Sequence, residues 1–197
     1  MTTAHTPARP APARMSTAGW RLSDDGRQLV VVLLLIIVAL GAGFLVKQTA
    51  EHQTRVVTAG NVSAAIPQSW IYQPGAGDLR FSARDPRHPG LRYSVSLVSG
   101  SNDLARTVDA QVRARSALLN EFQLLSRAPV AAGGRTGQAV TYAYVTVRPG
   151  RAPAVNQGRD LYLPATGGIL VISLDSPVGT FDAALAGFEQ FAGSVQQ

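Results

Sequence analysis

From Leu29 to Val46 the chain carries no charged or polar side chain, and it is apolar all round instead of along one stripe. That run is close to the ~20 apolar residues an α-helix needs to cross a bilayer. Beyond it the pattern breaks into short alternating segments. In NVSAAIPQSWIY, Val62, Ala64 and Ile66 alternate with small or polar residues as a half-buried strand does. Pro67 then breaks the ladder and Trp70 anchors the return. LRFSARD and LRYSVSLVS read as a hairpin whose turn, DPRHPG, is opened by Asp85-Pro86 and closed by Pro89-Gly90. Asp103 caps a helix with Leu104, Val108, Val112, Leu118 and Phe122 on one apolar face. FQLLSRAPVAA leads into GGRTGQAVTYAYVTV, where Ala139, Thr141, Ala143 and Val145 oppose Val140, Tyr142, Tyr144 and Val147 with period two. A loop, RPGRAPAVNQG, precedes the strands RDLYLPA and GILVISLDS, joined at Gly167-Gly168. The segment TFDAALAGFEQFAGSV closes the pattern as a helix with Phe181, Leu185, Phe188, Ala192 and Val195 on one face.

Strands joined by short turns form a mainly antiparallel sheet, and two amphipathic helices need a sheet to cover. The expected fold class is therefore α+β, an α/β/α sandwich that follows a single transmembrane helix. The expected divisions are a disordered Pro/Ala/Arg-rich tail at 1–27, a signal-anchor helix at 28–47, a stalk at 48–60 and one domain at 61–197.

The apolar run is longer than the roughly 7 to 15 residues of a cleavable signal. The nearest small-residue cleavage site, around Thr58-Ala59-Gly60, lies far from it. Retention as an anchor is the expectation. Arg9, Arg14, Arg21 and Arg27 precede the helix, against Lys47 and Arg55 after it, so the amino terminus stays cytoplasmic and the domain is extracytoplasmic at the plasma membrane. Ala39 and Gly43 form a small-xxx-small pair through which a second copy can approach to form a homodimer.

A formal net charge of +6 suggests an anionic partner, but part of the excess sits in the cytoplasmic flank. Nucleic acid is not expected, because the domain faces away from the cytoplasm and shows no interleaving of aromatic and basic residues. With no cysteine there is no disulfide framework and no thiolate site.

The order of elements resembles the PsbP-like superfamily, which includes the Mog nuclear-transport factors and the DcrB-like bacterial lipoproteins. The resemblance rests on IPQSW in the opening strand, on the helix ahead of GGRTGQAVTYAY, and on GILVISLDSP leading to FDAALAGFEQF. It spans about Asn61 to Val195 and implies a non-catalytic binding or assembly factor. A membrane helix in place of a lipidated cysteine departs from the lipoprotein members.

Catalytic residues are thin. Among the three histidines, His5 and His52 lie outside the expected domain, and no Gly-x-Ser-x-Gly elbow accompanies His88. Asp85 and His88 are two candidate metal ligands in one turn, which is short of a site. Asp182 is expected in the first turn of the closing helix, and Glu121 and Glu189 at solvent-facing helix positions. No glycine loop has the phosphate-binding spacing, and no cofactor is expected. Two basic groups remain: Arg80, Arg84, Arg87 and Arg92 around the first hairpin, and Arg148, Arg151 and Arg159 around the long loop. Near an anionic surface each such residue contributes around 1 kcal/mol, although alternate residues of a hairpin point to opposite faces. The sequence thus points to a non-catalytic, membrane-anchored binding or assembly module that contacts the lipid bilayer and an envelope protein. A domain for a small molecule or lipid is the second reading, and a hydrolase with an unrecognised site the third.

Overall fold

A computed structural model describes residues 31–40 and 53–197. The chain divides into two units, 1–47 and 48–197. In the first, residues 31–40 are helical (α1) and expose their side chains throughout. Among the described residues no helix is long and apolar enough to cross a membrane. The expected span from Leu29 to Val46 runs past both ends of α1 into residues outside the description, as do the tail at 1–27 and Gly43 of the small-residue pair.

In the second unit, β1 (Thr54–Ala59) and β2 (Val62–Pro67) pair as a separate two-stranded ladder. Residues 54–59 of the expected stalk at 48–60 are thus a strand. Most of β1 is exposed, Val56 at 73%, so it lacks the buried alternation by which strands are recognised. β2 has that alternation, with Val62, Ala64 and Ile66 fully buried.

The remaining strands are β3 (Ile71–Pro74), β4 (Leu79–Arg84), β5 (Arg92–Ser99), β6 (Asn120–Ala132), β7 (Arg135–Thr146), β8 (Ala154–Ala165) and β9 (Gly168–Pro177). They make one antiparallel sheet in the order β3-β4-β5-β9-β8-β7-β6. β9 is buried on both faces, which is why GILVISLDS reads as an unbroken apolar run. One face carries Phe81, Val95, Leu161, Leu163, Leu170, Ile172 and Leu174 against helix α3 (Val178–Ser194). The other carries Val140, Tyr142, Tyr162, Ile169 and Val171 against helix α2 (Leu104–Leu118), which packs on β6, β7 and β8. Trp70 packs on the α3 side with its ring 4.4 Å from that of Tyr93, centre to centre. Phe191 also stacks on Tyr93, at 4.9 Å.

Asp103 caps α2 as expected, its carboxylate accepting from the Arg106 N–H. The helix ends sooner than its apolar spacing suggests. Leu118 is 81% exposed, and Phe122 reaches the same core from β6, its ring 5.5 Å from that of Tyr142. Glu121 is likewise a strand residue, with φ of 52° at an irregularity in the β6–β7 register. β6 is the sheet edge and mostly exposed on both sides, so FQLLSRAPVAA shows no alternation, and an edge tolerates Pro129. Gly133 and Gly134 turn it into β7 with φ of 56° and 73°, the left-handed pair of a two-residue hairpin. Residues 154–158, expected as loop, open β8. The β8–β9 turn is Thr166-Gly167, since Ala165 pairs with Gly168. α3 starts at Val178, so Asp182 lies beyond its first turn.

Candidate functional site

α2 covers β6, β7 and β8 but not the β4–β5 half of its sheet face, and that difference positions the site. In register across the sheet, Arg84 sits beside Arg92, Arg92 beside Asp175, Asp175 beside Gly158, and Gly158 beside Tyr142. The neighbouring row runs Ser82, Ser94, Ser173, Asp160, Val140. A sheet face that should be apolar is polar here, and its charges are paired where they are buried.

Asp160, fully buried, lies 2.6 Å from Arg115 Nε, and its Oδ1 accepts from Arg115 Nη2 at 2.9 Å. The Tyr162 hydroxyl donates to it at 3.1 Å and the Tyr142 hydroxyl at 3.5 Å. Arg115 also lies over the Tyr142 ring, 4.9 Å from its centre. One row over, Asp175 accepts from Arg92 at 2.8 Å and from the Tyr144 hydroxyl at 3.2 Å. Burial pushes the Asp160 carboxyl above the ordinary range against the pull of Arg115. For Arg115 and Arg92 burial works against the charge, but Asp160 and Asp175 respectively outweigh it and raise both. Tyr142, Tyr144 and Tyr162 are held neutral by burial and then by the nearby aspartates. Gly158 makes room for this network, because a Cβ there would enter the Tyr142 ring.

The open end of the network is a cleft of about 310 Å³ lined by Arg84, Arg92, Arg148, Tyr144, Asn156 and Asp175. Asn156 is fixed by donating its Nδ2 to Thr146 Oγ1 at 2.9 Å and to the Ala154 carbonyl. Arg92 and Arg115 balance Asp175 and Asp160 one for one. Arg84 and Arg148 are left as the positive excess of the cleft, with no side-chain partner among the described residues.

The two arginine groups expected from proximity in sequence are therefore regrouped by the sheet. Arg84, Arg92 and Arg148 converge, whereas Arg80 lines a different hollow with Tyr72 and Leu79. The backbone N–H of Arg87 donates to Asp85 within its turn, and that of Arg151 to the Arg148 carbonyl. Arg159 lies on the α3 side, beside Leu161 and Phe188. Asp85 and His88 do meet, Oδ2 to Nδ1 at 2.8 Å. Burial of Asp85 is outweighed by His88 together with the Arg87 backbone N–H, and its carboxyl is held below the usual range. Among the described residues no third metal-ligating side chain joins them, and no hydroxyl donates to His88. Tyr144 and Asn156 were not singled out from the sequence. The available signal was the charge in strands that otherwise read as core, Asp160 in RDLYLPA and Asp175 in GILVISLDS.

No protein-family model matches the sequence, and no curated protein does. Solved structures do match. The cyanobacterial PsbP protein CyanoP from Synechocystis sp. PCC 6803 superposes with a TM-score of 0.53 at 14% identity, over 73% of this chain and 91% of that one. The Ran-binding protein Mog1p of Saccharomyces cerevisiae gives 0.50 at 13% identity, over 73% of this chain and 95% of that one. The domain has the PsbP-like fold. LpqN of Mycobacterium tuberculosis, involved in cell envelope biogenesis, superposes at 0.47 and 16% identity, over 73% of this chain and 90% of that one. In this PsbP-like domain the cleft opens on the α2 face, beside the β4–β5 turn that contributes Pro89 and Gly90.

Proposed function

We propose that the chain is a non-catalytic binding module of a bacterial envelope, held at the plasma membrane by Leu29 to Val46, with its PsbP-like domain outside the cytoplasm. The observation that carries the binding role is the cleft in which Arg84 and Arg148 stand unpaired beside Arg92. A set of guanidinium groups converging on one cleft suits a carboxylate-bearing segment of a partner protein, since Arg presents a planar fork of donors. Mog1p, which shares the fold, is a protein-binding protein by its description as Ran-binding. The location rests on the apolar run and the basic residues ahead of it.

Crosslinking of the full-length protein in intact cells, followed by identification of what is joined to the domain, tests the role. The expected result is a reproducible envelope partner whose yield falls in the Arg84→Gln, Arg148→Gln double variant. Recovery of the protein alone, or a yield indifferent to both substitutions, overturns it.

A further inference from the structure

Arg159 is the basic residue the cleft does not use. It projects from β8 on the α3 face, where the neighbouring strand residues Leu161 and Leu174 belong to the core. It borders a cavity of about 410 Å³ between α3 and the β6–β7 hairpin, walled by Val130, Leu161, Phe188 and Ala192. Its Nε is buried and has no hydrogen-bond partner among the described residues. Glu189 also borders the cavity but forms no ion pair with Arg159 within 4.0 Å.

A buried donor on a permanent cation, left without an acceptor, is costly in an apolar setting. The guanidinium that carries it borders a cavity within the size range of small-molecule sites, ~300–1,000 Å³. A guanidinium edge matches a carboxylate with two parallel hydrogen bonds. The apolar walls match a hydrocarbon body. We infer that this cavity binds a small amphiphilic monocarboxylate, its head on Arg159 and its chain along Phe188, Leu161 and Val130. The site lies on the opposite face of the sheet from the Arg84–Arg148 cleft and does not depend on that reading.

The test is calorimetric titration of octanoate into the full-length protein in lipid nanodiscs, with empty nanodiscs as the blank. Saturable binding is expected, weaker by about tenfold or more for Arg159→Gln and for the uncharged analogue octanamide, since a hydrogen bond to a charged group is lost. Arg84→Gln should leave it unchanged. Gly193→Leu provides a second variant, because Gly193 borders the cavity and has open space where a side chain would begin, so bulk is added at the rim while the fold is kept. It should weaken binding. Competition by hexadecanoate placed in the nanodisc would assign the ligand to the bilayer, and its failure to compete would assign a soluble acid. No saturable heat from the folded protein, or an affinity unchanged from the original protein in both Arg159→Gln and Gly193→Leu, overturns the inference.

Discussion

At the scale of single residues, the most consequential pair is Arg115 and Asp160, because a fully buried carboxylate has no water to fall back on. Removing one partner strands the other, so Asp160→Ala should cost about 3–5 kcal/mol in urea unfolding. Replacing both by apolar residues should cost much less than the sum of the two single changes. The tyrosines give a pH signature. Burial, and then Asp85, pushes the Tyr93 hydroxyl from 10.0 up to about 12, and Tyr142, Tyr144 and Tyr162 are raised as well. The folded state holds these protons more tightly than the unfolded chain does. Their contribution to stability is therefore fully present below pH 10, and that of Tyr93 is lost as pH rises through about 12. Absorbance of tyrosinate against pH should show these four staying neutral past 10.0 until the fold opens, whereas a gradual ionisation of all five with the fold intact would contradict the network.

Elements separate what is structural from what is available. Phe81 is fully buried and packs edge-on against Phe191 of α3, so Phe81→Ala should cost about 3–5 kcal/mol by denaturant unfolding. Arg84→Gln and Arg148→Gln, at unpaired positions of the cleft, should move stability by no more than about 0.5 kcal/mol. Their partner's affinity should fall and lose part of its salt dependence, as measured by binding at two ionic strengths. This division also explains what could be read in advance. β2, β5, β7, β9, α3 and the second half of β8 bury a regular set of side chains and so announce themselves, down to Phe181 and Phe188. β1 and β6 are held by backbone pairing while their side chains face solvent, so hydrophobic spacing is silent about them. The same spacing overextended α2, because Phe122 returns to the core on that side of the sheet from a strand. The cleft was half legible. Its arginines were visible as charges, but only the register β4-β5-β9-β8-β7 decides that Arg84, Arg92 and Arg148 meet and that Arg159 faces the other way.

For the molecule as a whole, the proposed tether makes a direct prediction. Sequencing of the mature protein from membranes should find the segment from Leu29 to Val46 still attached, and a new amino terminus near Ala59 or Gly60 would remove the anchor from the proposal. That terminus would also cut away β1 and leave β2 unpaired along one edge, so cleavage there should lower stability as well as release the domain, which thermal unfolding of a chain starting at Gly60 would register.

β1 and β2 also stand apart from the seven-stranded sheet, and the backbone at Ser63 is bridged to Gln196. Tension drawn along the chain into Thr54 meets this two-stranded clasp first. Under the proposed tether it would open pair by pair from Thr54–Pro67 toward the turn at Gly60, so that load falls on β1 before it reaches the strands that line the cleft.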